Sequence, residues 1–156
     1  MQIVRFRVSG RDVAFHVDGV REVVSVTHIS AVFRAPPFVA GLMNLRGEAV
    51  PIFDLSVLFD LPRPESPPDM VVVGEYAPFR AGFLADRPVD ILEVSEDRDG
   101  ALPDQTPTLA ALDRVFMVED EAVMLLSLER VFALPPIVAL RQELDLLGSQ
   151  VTDVVR

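Results

Sequence analysis

The feature that most constrains this chain is that it repeats itself. The stretch "VDGVREVVSV" at 17–26 lies without a gap on "ADRPVDILEV" at 85–94. Asp18 matches Asp86, Glu22 matches Asp90, and Val23, Val24 and Val26 match Ile91, Leu92 and Val94. A second block, "EAVPIFDLSVLF" at 48–59, lies on "EAVMLLSLERVF" at 121–132. The shifts are similar, 68 and 73 residues, which marks a tandem duplication. The chain must therefore fold as two copies of one supersecondary unit.

Each copy has the period of a β chain. Val4, Phe6 and Val8 face one way while Ile3, Arg5 and Arg7 face the other, the alternation of a strand. Ser9 to Asp12 supply a turn, and Val13, Phe15 and Val17 alternate again, so the start reads as a hairpin. Asp18-Gly19 ends it. A bend at Ala35-Pro36-Pro37 precedes the apolar run Val50 to Phe53, and Asp54 is placed to cap a short helix over Leu55 to Leu61. Residues 62–68 contain four prolines and read as a linker. Short strands with regular turn signals favour small barrels over a parallel α/β sheet. A half of about 60 to 70 residues is marginal alone, so the two should pack on each other. The expected fold is all-β: a first barrel over 1–61, a linker over 62–68, a second barrel over 69–134, and a groove between barrels lying side by side.

The tail has a different period. Ile137, Leu140, Leu144, Leu147, Val151 and Val154 form one helical stripe after Pro135-Pro136. A C-terminal helix over 135–156, packed back on a barrel, is the expectation. A partner-binding or dimerising helix is the alternative, although Gly148 weakens it.

Composition removes several function classes. Half the chain is apolar, enough for a packed core, yet no apolar run approaches the roughly 20 residues that span a bilayer. Met1 leads directly into the first strand and cysteine is absent. The expectation is a cytoplasmic protein without direct membrane insertion. Residues 1–61 balance six arginines against six acids, whereas 62–156 hold eight arginines and eighteen acids, so the net charge of −10 lies in the second half. Nucleic-acid binding requires the opposite balance. Small molecules and other proteins remain as partners.

Catalysis finds little support. His16 falls on the polar phase of its strand and His28 lies in a connector, neither with a metal-ligand partner at helical spacing. No nucleophile elbow, phosphate loop or dinucleotide fingerprint occurs. "SEDRDG" at 95–100 resembles part of a calcium loop, but Thr106 stands where the ion needs a bidentate Glu. No enzyme, cofactor or metal is expected.

The duplication supplies a control for the turn Asn44-Leu45-Arg46-Gly47. Its counterpart is Met117-Val118-Glu119-Asp120, followed by an equally good strand. The architecture does not require an arginine there. A permanently charged five-donor fork beside Leu42, Met43 and Leu45 can anchor a protein interface.

These residues carry a resemblance. "PPFVAGLMNLRGEAVPIFDL" at 36–55, the V-x-E-V stretch at Val20 to Val23 and the G-x-x-x-D stretch at Gly82 to Asp86 are similar to the chemotaxis coupling protein family, the CheW-like domain. The resemblance runs from about Val4 to Phe132 and implies a single CheW-like domain made of two five-stranded, SH3-like barrels. It also implies a non-catalytic adaptor joining cytoplasmic tips of methyl-accepting chemoreceptors to the regulatory domain of a sensor histidine kinase, with other CheW-like proteins as neighbours. Receptor-facing positions would be Val20, Glu22 and Arg46, with Gly82 nearby, and Asn44, Leu45 and Gly47 would shape the motif turn. The stretch from 98 to 114 is compressed relative to the family, and Asp113-Arg114 stands where small or apolar residues are expected. Those two would face the kinase. The alternative within the class is a divergent accessory that joins arrays or binds receptors without contacting the kinase. From other classes, a small-molecule sensor would need a dry closed pocket of several hundred Å3.

Overall fold

The computed structural model describes residues 1–95 and 110–143. The acidic stretch at 96–100, most of the compressed connection and the stripe from Leu144 onward lie outside the described residues.

The strands are β1 (Gln2–Val8), β2 (Arg11–His16), β3 (Val20–Ser25), β4 (Ile29–Ser30), β5 (Val39–Leu45), β6 (Glu48–Phe53), β7 (Met70–Tyr76), β8 (Phe79–Glu93), β9 (Leu112–Val118) and β10 (Glu121–Leu126). Helix α1 (Leu55–Leu58) follows β6 and α2 (Leu128–Phe132) follows β10. Both begin on a side-chain cap: Asp54 accepts from the Ser56 N–H and Ser127 from the Arg130 N–H, which satisfies donors that a helix start leaves open. Helix α1 is shorter than the expected run to Leu61. Residues 135–143 are helical, with Ile137 and Leu140 buried in the main core.

The strands form two small β-barrels, but not by splitting the chain at the linker. Barrel I is built on hairpin β1–β2, the second half of β8 on β1, and hairpin β9–β10, with β10 parallel to β2. Barrel II is built on β7 and the first half of β8, with β3 on β7, hairpin β5–β6, β6 parallel to β8, and the short β4 on β5. The expected division into 1–61 and 69–134 is therefore corrected. Each copy gives its hairpin to one barrel and its later strands to the other.

The exchange obeys the duplication residue by residue. Strands starting at 2 and 70, and at 11 and 79, keep the shift of 68; those starting at 39 and 112, and at 48 and 121, keep the shift of 73. Register is kept as well. Val23 pairs with Val72 in barrel II as Ile91 pairs with Val4 in barrel I. Ile52 pairs with Gly82 as Leu125 pairs with Ala14. The repeated blocks at 17–26 and 85–94 thus supply β3 and the second half of β8. In the first copy Asp18-Gly19 breaks the chain into a short 3-10 turn, Val17–Gly19. In the second, Asp86-Arg87 has no glycine and β8 runs through for 15 residues, crossing from one barrel to the other.

Three clusters hold this together. Ile3, Ala14, Phe116, Val123 and Leu125 fill barrel I, and Met43, Ile52, Val71 and Val73 fill barrel II. The third and largest is shared: the Phe15 ring of barrel I lies tilted against Phe83 of barrel II with centroids 5.0 Å apart, and Phe83 also meets Phe53 and Phe132. Burial of these rings favours docking of the barrels over either alone.

Candidate functional site

The turn between β5 and β6 is a two-residue hairpin loop with positive φ at both central residues, 52° at Arg46 and 86° at Gly47. That geometry matches strand twist and suits Asn and Gly, not Arg. Asn44 Oδ1 accepts from the Gly47 N–H at 2.8 Å, and half-buried Leu45 packs on the barrel II core. The turn is pinned from below while Arg46 stands in a conformation that disfavours its residue type.

Arg46 crosses to β3. Its Nη1 donates to Glu22 Oε2 at 3.0 Å, and Nη2 donates to the same oxygen. Arg46 is 73% exposed and Glu22 only 23%, so the carboxylate is sheltered and the guanidinium faces out. Val20, at the start of β3, is half-buried against the shared core. The structure thus brings three of the four expected receptor-facing residues to one strand and the adjoining turn. Gly82 is different. It is buried, and a Cβ there would lie 2.5 Å from Val71 Cγ1 and 2.6 Å from Ile52 Cδ1. It lets β6 and β7 approach β8 and presents no side chain.

Other charges frame the patch. Arg80 on β8 donates to Glu48 at 2.8 Å and approaches Glu75 at 3.9 Å, while Arg21 pairs with Glu75. Sequence reading missed these, because the partners lie 32 and 54 residues apart on strands whose pairing it had misplaced. In barrel I, Arg5 clasps Asp90 through two bonds of 3.0 and 2.7 Å, and that pairing raises the Arg5 pKa against the opposing effect of burial. Burial pushes the Asp86 carboxyl up, with Asp69 and Asp54 adding to it.

Asp113 is exposed on β9 and Arg114 is half-buried opposite Leu125. The structure sets them on barrel I, apart in the sheet from β3 and the Arg46 turn. His16 is exposed, and its Nδ1 accepts from the Asp18 N–H at 3.2 Å as a local cap. Among the described residues no group of three His, Asp or Glu side chains is placed to hold a metal, and no helix is long and apolar enough to cross a membrane.

A double barrel whose most distinctive exposed feature is a strained, ion-paired arginine beside a half-buried apolar strand is a protein-interaction module. Residues 2–136 match the family model of the CheW-like domain, and the chain belongs to that family. It is 30% identical over 138 residues to a "Chemotaxis protein CheW" of Rhizobium meliloti, covering 84% of this chain and 86% of that one. A Thermotoga maritima "Chemotaxis protein CheW" is 27% identical over 97 residues, covering 62% of this chain and 64% of the relative. In fold, the chain resembles the crystal structure of scaffolding protein TtCheW from Thermoanaerobacter tengcongensis, with a TM-score of 0.73 and 24% identity, covering 81% of this chain and 84% of that one.

Proposed function

We infer that this protein is a non-catalytic chemotaxis adaptor, which couples the cytoplasmic tips of chemoreceptors to a sensor histidine kinase. Membership of the CheW-like family over nearly the whole chain supports the class. The observation that carries the site is Arg46, held at positive φ and paired to Glu22 with most of its guanidinium facing solvent. Backbone strain at an exposed, ion-paired position supports a binding role for this residue.

The receptor tip is a helical hairpin that lies along β3 and the β5–β6 turn. Val20 supplies apolar contact, Glu22 and Arg46 set the register by charge, and Asn44, Leu45 and Gly47 hold the turn in place. Gly82 contributes by keeping the strands beneath the patch close together. The kinase's regulatory domain docks on barrel I around Asp113 and Arg114, and other CheW-like proteins complete the array. The protein acts on the cytoplasmic side of the membrane without entering it.

Calorimetric titration with the regulatory domain of its own organism's sensor kinase tests the coupling. Micromolar binding that is lost in the Asp113→Ala, Arg114→Ala double variant is the expected result. No heat from the kinase domain, with receptor binding intact, would reduce the protein to an array accessory.

A further inference from the structure

The charges beside Arg46 form a circuit. Arg46 pairs with Glu22 on β3, and the residue before it on that strand, Arg21, pairs with Glu75 on β7. Glu75 lies opposite Arg80 in the β7–β8 ladder, with 3.9 Å between their charged groups. Arg80 in turn donates to Glu48 on β6 at 2.8 Å, and Glu48 follows the Arg46 turn directly. Arg80 is the link between β7 and β6, and it stands next to Phe79 at the tip of the β7–β8 hairpin.

That tip is held from outside barrel II. The Arg141 guanidinium lies over the Phe79 ring with Cζ 3.4 Å from its centroid, and Nη1 donates to the Phe132 carbonyl at 3.1 Å. The Phe79 and Phe132 rings lie 5.9 Å apart. Arg141 Nε is buried with no acceptor among the described residues. The stack on the ring therefore fixes its place, a cation–π contact that strengthens where water is excluded. Ile137 and Leu140, buried in the shared core, anchor the helical stretch that carries it.

The duplication supplies a control. The shift of 68 places Arg11 where this hairpin has Phe79, and the shift of 73, carried onward, places Pro68 where the helical stretch has Arg141. Arg11 is exposed and donates to the Ser9 carbonyl of its own turn at 3.0 Å. Hairpin β1–β2 forms without a ring and arginine at these places, so the clasp is not a requirement of the fold. It sits on the barrel that bears Arg46.

We propose that Arg141 is a positioning residue of the receptor site. It holds the β7–β8 tip so that Arg80 bridges Glu75 and Glu48 and the charges beside Arg46 are set before a partner arrives. Order established in advance lowers the cost of binding. This role rests on the receptor site assigned to Glu22 and Arg46.

The test removes the clasp from either side, with Arg141→Ala and with Phe79→Leu, which keeps an apolar side chain in the core. In the free chain, the Arg80 Nε–Hε NMR signal should move in both variants toward the position it takes in Glu48→Gln. Titrated well below its Tm, each variant should bind the chemoreceptor tip about threefold or more weakly than the parent. The double variant should bind no more weakly than either single one, because both changes remove the same contact. Arg141→Lys keeps the charge but not the flat stack, and should fall between the parent and Arg141→Ala. An unmoved Arg80 signal, additive losses in the double variant, or parental tip affinity in Arg141→Ala while Arg46→Glu abolishes binding would each overturn the proposal. Should Arg46→Glu leave tip affinity unchanged, the receptor site itself is misassigned, and the Arg80 signal still decides whether Arg141 holds the circuit.

Discussion

Arg46 and Glu119 occupy the same position in symmetry-related hairpin turns, with φ of 52° and 49°, and carry opposite charges. The acid that Arg46 neutralises, Glu22, corresponds to Asp90 in barrel I, and there the cation comes from Arg5 on β1. Barrel II has Val73 at the place of Arg5. The same local need is thus met by a turn residue in one barrel and by a strand residue in the other. Arg5 is 19% exposed and Arg46 73%. Of the two, the cation of barrel II is the one that faces solvent.

Replacing Arg46 by Asn should separate stability from binding. Asn-Gly is the preferred pair for a turn with two positive φ values, and relief of strain there is worth about 1 kcal/mol. The exposed ion pair that is lost contributes less than about 1 kcal/mol. Urea melts should show stability equal to or above the parent, while receptor-tip affinity falls at least about tenfold.

The two arginine–acid pairs should not be equivalent in stability. Arg5→Met removes a sheltered two-bond clasp and should cost about 1–2 kcal/mol; Arg46→Met removes an exposed one and should cost under about 0.5 kcal/mol. Parallel urea titrations of the two variants check the order.

Gly82→Val tests the packing role of that residue. The new side chain would meet Val71 and Ile52 inside ordinary contact distance, and overpacking of this kind costs about 1–3 kcal/mol. Any fall in receptor binding should then track the fraction unfolded and recover at lower temperature.

Asp86 predicts a pH effect of definite sign. Its folded pKa lies above the ordinary value of 3.8, chiefly through burial, so the folded chain holds that proton more tightly than the unfolded one. Its contribution to stability is full below pH 3.8 and is lost as pH rises through the folded value. Asp86→Asn should therefore be more stable than the parent at neutral pH, and the difference in Tm should close as pH falls toward 3.8.

The repeated blocks, the hairpin β1–β2 and the cap at Asp54 were legible in the sequence because each is written in a short contiguous stretch. The partnering of strands was not. β3 pairs with β7 about 50 residues later, and alternation along β3 is compatible with either hairpin as its neighbour. That β8 runs on through 85–94 was not legible either, because the matching block at 17–26 is broken at Gly19, where β8 has Arg87. Glu22 and Arg46 could be named separately, but their contact follows only from the barrel that joins β3 to the β5–β6 turn. Gly82 was singled out with the patch, yet its place opposite Ile52 makes it a packing residue.

The most direct measurement is a calorimetric titration of the chain with the cytoplasmic hairpin tip of a chemoreceptor from its own organism, beside the Arg46→Glu variant. The expected result is micromolar binding that the substitution weakens by about 2–5 kcal/mol, with a Tm within a few degrees of the parent. Undiminished affinity in the variant, or loss of binding only in step with loss of fold, would contradict a receptor site built on Glu22 and Arg46.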